Sequence, residues 1–135
     1  MNNIYSAVKA IIQQGEKFLV IKQKINDQTF WDFPGGRIEY GESPYDTLIR
    51  EVKEEVGLSI NIIKPIGMFW FFRLIDEGQV MATTFLCSAD NYDIDLTKNP
   101  ADENILEYRW VTKDEFLNDT YHVSHDSMKK LFKLL

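Results

Sequence analysis

The chain has 135 residues, enough for one compact domain with a single substantial core, and its 44% hydrophobic and 27% charged content excludes extended disorder. A net charge of −6 and a pI near 4.9 leave no basic footprint for a long nucleic-acid backbone, so a small anionic substrate would need help from a bound divalent cation. Cys87 is the only cysteine, which excludes an intrachain disulfide; with neither a leader-like start nor a bilayer-length apolar run, a cytoplasmic location without a membrane is expected.

The predicted elements begin with a hairpin, in which apolar runs from Ile4 to Ile12 and from Phe18 to Ile21 flank Gln14-Gly15-Glu16. After polar Asn26-Asp27-Gln28, the aromatic cluster Phe30-Trp31-Asp32-Phe33 reads as a strand entering a loop, because Pro34, Gly35 and Gly36 interrupt regular structure. The strongest helix signal follows: Ser43 as N-cap, Pro44 at the first helical position, Asp46 in the first turn and Gly57 as the stop. Tyr45, Leu48, Ile49, Val52 and Val56 fall within an arc of about 100° at helical spacing, so one face is expected to pack on the core.

Ile60 to Phe72 and Val80 to Cys87 are rich in β-branched and aromatic residues and predict a second hairpin around Asp76-Glu77-Gly78-Gln79. Cys87 reads as a core residue there. The segment from Asn91 to Asn104 is polar and acidic; Ile105 to Val111 predicts a short strand, and Thr112-Lys113-Asp114-Glu115 a capping box. Met128, Leu131, Phe132, Leu134 and Leu135 predict a last amphipathic helix, with Lys129, Lys130 and Lys133 suited to its C-terminal dipole.

Glu51, Glu54 and Glu55 are spaced by three and four, which brings three carboxylates onto neighbouring positions of the central helix. Hard divalent cations prefer oxygen ligands and would offset their mutual repulsion. The bland alternative is a solvated helix face with Arg50 paired to Glu54 and Lys53 nearby.

The flanking residues decide between these readings. Gly36-Arg37-Ile38-Glu39-Tyr40-Gly41-Glu42, seven residues from Ser43 to Ile49, and Arg50-Glu51-Val52-Lys53-Glu54-Glu55-Val56-Gly57-Leu58 together resemble the complete Nudix box over 23 residues. The resemblance implies a single Nudix hydrolase domain over 1–135. Its fold class would be α/β, a Nudix-type α/β/α sandwich with a mixed β-sheet.

That resemblance implies a metal site for Mg²⁺ or Mn²⁺ on Glu51, Glu54 and Glu55, with Gly36 allowing the backbone to approach metal or phosphate. Arg50 would hold the glutamates, Glu42 would brace the loop, and Gly41 would permit a tight bend. The implied reaction is attack by water on a phosphorus of a diphosphate bridge. Glu51 is the first choice for shared ligand and base duty; Asp102, Glu103 and Glu107 are later candidates, Glu103 foremost. Arg37, Trp31, Phe33, Phe69 and Phe71 are candidate substrate contacts, although alternate residues of a strand face opposite ways and some rings must fill the core. Trp110 reads as sheet–helix packing, and His122 and His125 as surface or capping residues, two histidines without an acidic shell being a weak metal signature.

The chain lacks the proline about fifteen residues after the box that marks ADP-ribose hydrolases; Arg73 stands there. The tyrosine accompanying diadenosine-polyphosphate hydrolases is also missing, with Ile75 and Asp76 in its place, and there is no coenzyme A signature. Elimination leaves a nucleoside triphosphate, split to monophosphate and pyrophosphate, or a nucleotide sugar or other nucleoside-diphosphate derivative. The expected partner is a small nucleotide, with a second copy in a homodimer left open. A non-catalytic nucleotide-binding module is the rival from another class, and a diphosphate isomerase ranks last.

Overall fold

Gly15 turns the chain between two apolar runs: β1 (Ile4–Gln14) and β2 (Lys17–Ile25) pair antiparallel at Gln13–Phe18 and Gln14–Lys17. In the computed structural model, which describes residues 2–97 and 105–135, the two strands then part company. Strand β1 continues parallel to β6 (Gln79–Ala89), from Ile4 opposite Gln79 to Ile12 opposite Cys87, and also pairs antiparallel with the short β4 (Gly35–Arg37). Strand β2 instead pairs antiparallel with β3 (Gln28–Asp32) and β7 (Ile105–Thr112). With β5 (Ile60–Phe72) antiparallel to β6, the order is β3-β2-β1-β6-β5, with β4 attached to β1 and β7 to β2. The parallel β1–β6 pair makes the sheet mixed.

Alternation along β1 and β2 divides the core into two layers. Ala7, Ile11, Phe18 and Val20 face one cluster, which Phe116, Met128, Leu131 and Phe132 complete. Val8, Ala10, Ile12, Leu19 and Ile21 face the other, which Leu48, Val52 and Val56 complete. The helices supplying those residues are α1 (Pro44–Val56) on one side and α2 (Lys113–Phe116) with α3 (Asp126–Phe132) on the other, so the expected α/β/α layering is present.

Helix α1 starts and stops where its local signals place it: the Ser43 side chain accepts from Tyr45 N, Pro44 opens the helix, and Gly57 closes it at φ 76°. Its buried stripe is narrower than the apolar arc of the sequence. Leu48, Val52 and Val56 are buried, but Tyr45 and Ile49 are 56% and 42% exposed, and Glu55 is buried in their stead. Tyr45 still packs edge-on to Phe85 at 5.6 Å.

Two other expectations need correction. Pro34 does interrupt regular structure, β3 ending at Asp32, but the glycines do not: the chain resumes as β4, where Gly36 pairs with Val8 and Gly35 with Lys9. The last helix stops at Phe132, leaving Leu134 80% exposed. The Thr112–Glu115 capping box forms, and Cys87 is a buried free thiol, pushed up to about 12 by desolvation. Among the described residues, no helix is long and apolar enough to cross a membrane.

Candidate active site

The first turns of α1 and the loop before it are tied together by one arginine. Arg50 donates from Nε to Glu42 Oε2 at 3.0 Å and from Nη2 to Glu42 Oε1 at 2.9 Å, a two-pronged pairing suited to the planar guanidinium. Its Nη1 reaches Glu51 Oε1 at 3.1 Å and Glu54 Oε2 at 3.3 Å. Glu42 also accepts from Thr47 Oγ1 at 2.7 Å, and these bonds hold its carboxyl down at about 2. The same acids raise the Arg50 guanidinium above its ordinary value, with the Glu42 hydrogen bond as the largest cause. Gly41, at φ 85°, supplies the bend that returns Glu42 toward the helix.

Glu55, one turn after Glu51 on α1, is 2% exposed, and its Oε1 accepts from Gly35 N at 2.7 Å. Beside it, Gly36 is required by a close approach: a Cβ built there would lie 2.5 Å from Glu51 Cδ and 2.8 Å from Oε2. Strand β4 therefore presents its backbone directly to the Glu51 carboxylate.

The arrangement gathers Glu42, Glu51, Glu54 and Glu55 around Arg50 and the β4 backbone, leaving three formal negative charges uncompensated by that arginine. All these donors are oxygens, and the backbone at Gly36 is open to close approach, a set that suits a hard divalent cation. Among the described residues, however, no three acidic, histidine or cysteine side chains already converge as a ready coordination shell. Arg50 occupies Glu51 and Glu54 at Nη1, and Gly35 N occupies a Glu55 oxygen.

A cavity of about 370 Å³ opens from this edge, with Gly36 and Arg37 in its wall. Phe30, Phe71, Phe72 and Ile25 give it apolar sides. Lys9 and Asp32 also line it, joined by a buried ion pair of 2.9 Å, while Asp32 Oδ1 accepts from Phe33 N at 2.7 Å.

Arg37 and Phe71 thus border the cavity, but the other predicted substrate contacts do not. Phe33 and Phe69 are fully buried, their rings 6.2 Å apart in the core, so neither has a face open to a ligand. Trp31 is 5% exposed and packs on Tyr121; its remaining edge borders a separate hollow that also holds Glu107 and Arg109. Alternation along β3 and on into Phe33 is the cause: Trp31 and Phe33 join one core, whereas Phe30 and Asp32 line the cavity.

Glu107 sits in β7 at 3.5 Å from Arg109, beside the Trp31 hollow. Asp102 and Glu103 lie outside the described residues. His125 caps α3 by accepting from Ser127 N at 3.0 Å, and its ring lies 3.9 Å from that of Trp70. His122 lines the cavity wall and its carbonyl accepts from Trp31 N. Trp110 packs edge-on to Tyr92 at 5.6 Å and against the α1-side core. Sequence reasoning passed over Lys9, Asp32, Phe30 and Arg73 as cavity residues. Lys9 carried a signal, being the only charge in the apolar run from Ile4 to Ile12.

A family model described as NUDIX domain matches residues 4–132, and the chain belongs to that family. A putative 8-oxo-dGTP diphosphatase of Bacillus subtilis (strain 168) is 33% identical over 82 residues, covering 53% of this chain and 54% of that one. The chain therefore spans about half the length of this relative. Phosphatase NudJ of Escherichia coli (strain K12) is 29% identical over 110 residues, covering 82% of this chain and 69% of NudJ. Among solved structures, a MutT protein from Methanosarcina mazei Go1 superposes with a TM-score of 0.81 at 24% identity, covering 98% of this chain and 92% of the other, which shows the fold.

Proposed function

We propose that the chain is a metal-dependent pyrophosphohydrolase that cleaves a diphosphate linkage in a nucleoside-diphosphate derivative, with a nucleoside triphosphate giving monophosphate and pyrophosphate as the first choice. The observation that carries this reading is the approach of Glu51 to Gly36, which sets the acid-bearing helix against the β4 backbone, while Gly36 itself lines an apolar-sided cavity. The name of the Bacillus relative, a putative 8-oxo-dGTP diphosphatase, supports a nucleoside triphosphate over a nucleotide sugar.

In this reading Glu51, Glu54 and Glu55, with the Gly36 backbone, would hold Mg²⁺ or Mn²⁺. Bound there, the cation would supply positive charge against the phosphate oxygens and make water easier to deprotonate. Glu51 then accepts the proton of the attacking water as the new oxygen–phosphorus bond forms. The bridging oxygen–phosphorus bond breaks, and the departing group keeps the bridging oxygen. Arg50 and Glu42 keep the carboxylates aimed, and the apolar walls of the cavity take the base. Glu103 is the alternative base.

The test is a screen of nucleoside triphosphates, nucleotide sugars and other nucleoside-diphosphate derivatives, with and without Mg²⁺ or Mn²⁺, followed by product identification. Monophosphate plus pyrophosphate from a triphosphate supports the first choice, and cleavage of a sugar nucleotide alone shifts the substrate. Binding without turnover across the set would identify a nucleotide-binding module instead.

A further inference from the structure

Three distant segments meet at the cavity mouth. Arg37 of β4 stands opposite Ala7 of β1, which places it diagonally across from Tyr5 on the same face of the sheet. Val80 of β6 pairs with both Tyr5 and Phe71, and Arg73 follows Phe71 by two residues just beyond β5. The result is a shared ring: the Arg37 guanidinium lies 4.6 Å and that of Arg73 5.1 Å from the Tyr5 ring centre. Both arginines line the same cavity as Gly36.

Two cations brought to one ring repel each other, and the structure offsets this only in part. The Tyr5 ring attracts both. Asp76 lies 3.6 Å from Arg73 Nη1, accepts from the Tyr5 hydroxyl at 3.3 Å, and is fixed by Gly78 N at 3.0 Å. Two guanidiniums against one carboxylate leave one formal positive charge, in a chain whose net charge is −6. Pinning by Tyr5 and Asp76 also restricts the side chains before any ligand arrives, which reduces the entropy lost on binding.

We infer that Arg73, paired with Arg37 across Tyr5, is a specificity-determining residue that binds an anionic phosphate group of the substrate at the cavity mouth. The inference rests on the reading of this cavity as the substrate pocket. It narrows the substrate class to molecules whose base or other organic group enters between the phenylalanines while a phosphate stays at the rim, in reach of two planar guanidiniums. An uncharged nucleoside portion alone would leave the pair unmatched.

The test uses the full chain freed of metal with EDTA, so that binding is read without turnover. Inorganic pyrophosphate, ADP, GDP, CDP and UDP are titrated calorimetrically into the parent, Arg73→Gln, Arg73→Lys and Lys130→Gln proteins, with a thermal melt of each. The parent should bind at least one probe. Arg73→Gln should weaken that binding about tenfold or more, Arg73→Lys should fall between, and Lys130→Gln, which removes an exposed positive charge from α3 away from the cavity, should not weaken it. If Arg73→Gln melts early, Arg73→Lys decides, since it keeps a charge beside Asp76 and must still bind more weakly than the parent. Equal affinity of the folded variants and the parent, or a parent that binds none of the five probes, would overturn the inference. Because no hydrolysis is measured, loss of the inference leaves the proposed reaction standing, and an inactive protein leaves the binding result standing.

Discussion

Arg50 grips Glu42 with two donors, Nε at 3.0 Å from Oε2 and Nη2 at 2.9 Å from Oε1, and so locks the loop before α1 to the helix that carries the other glutamates. Glu42 is held at about 2, against 4.5 for an ordinary glutamate, chiefly by the Arg50 hydrogen bond and then by Thr47. A folded-state value below the unfolded one means that the interaction stabilises the fold above pH 4.5 and that this contribution fades as pH falls toward 2. Glu42→Gln should therefore lower the melting temperature at neutral pH, with a deficit that narrows between pH 4.5 and 2. Melting curves across that range check this; a deficit constant with pH would contradict it.

Gly36→Ala should disable the site without unfolding the chain. The new methyl would sit 2.5 Å from Glu51 Cδ, so the side chain must move, and a displacement of this size can cost on the order of 100-fold in rate. Steady-state kinetics with a circular dichroism spectrum would test it; near-parental kcat would show that the position of Glu51 against β4 is immaterial.

Glu55 bonds a backbone donor while buried, so its removal should be felt in stability as well as in metal affinity. Glu55→Ala leaves Gly35 N–H without this acceptor and should cost about 1–3 kcal/mol. Glu55→Gln keeps an oxygen and should cost less, yet bind Mn²⁺ more weakly for want of charge. Urea unfolding and Mn²⁺ calorimetry separate the two effects.

The aromatic residues divide by the face they occupy. Phe33→Ala removes a fully buried ring and should destabilise by about 3–5 kcal/mol. Phe72, 55% exposed at the cavity, should behave oppositely: Phe72→Ala should raise KM with little change in melting temperature. A Phe72 variant with parental KM would remove that ring from the substrate's surroundings.

This division shows where sequence reasoning ran out. Helix α1 was legible because Ser43, Pro44 and Gly57 act on the backbone beside them, and the glutamates are neighbours by helical spacing alone. The cluster Phe30-Trp31-Asp32-Phe33 announced aromatic content but not which face meets the cavity, since that depends on how β3 lies against β2 and the two cores. Glu55 was readable as an acid of the box, whereas its burial against Gly35 arises only when β4 docks on β1. The contact of Tyr5, Arg37 and Arg73 depends likewise on three strand pairings, none of them local.

The base assignment divides between a residue on the helix and one in the later segment. If Glu51 serves, Glu103→Gln should retain most of its kcat at saturating Mg²⁺. A collapse of kcat in Glu103→Gln with Mn²⁺ affinity unchanged would move the base out of α1.

Metal-dependent hydrolysis through Glu51 is measured most directly by the rates of parent and Glu51→Gln proteins on the best substrate of the screen, each with saturating Mg²⁺ and with EDTA. Turnover is expected only for the parent with Mg²⁺, with a loss on the order of 100-fold or more in Glu51→Gln even when metal saturates. A parental rate that persists in EDTA, or a Glu51→Gln variant that turns over like the parent, would contradict it.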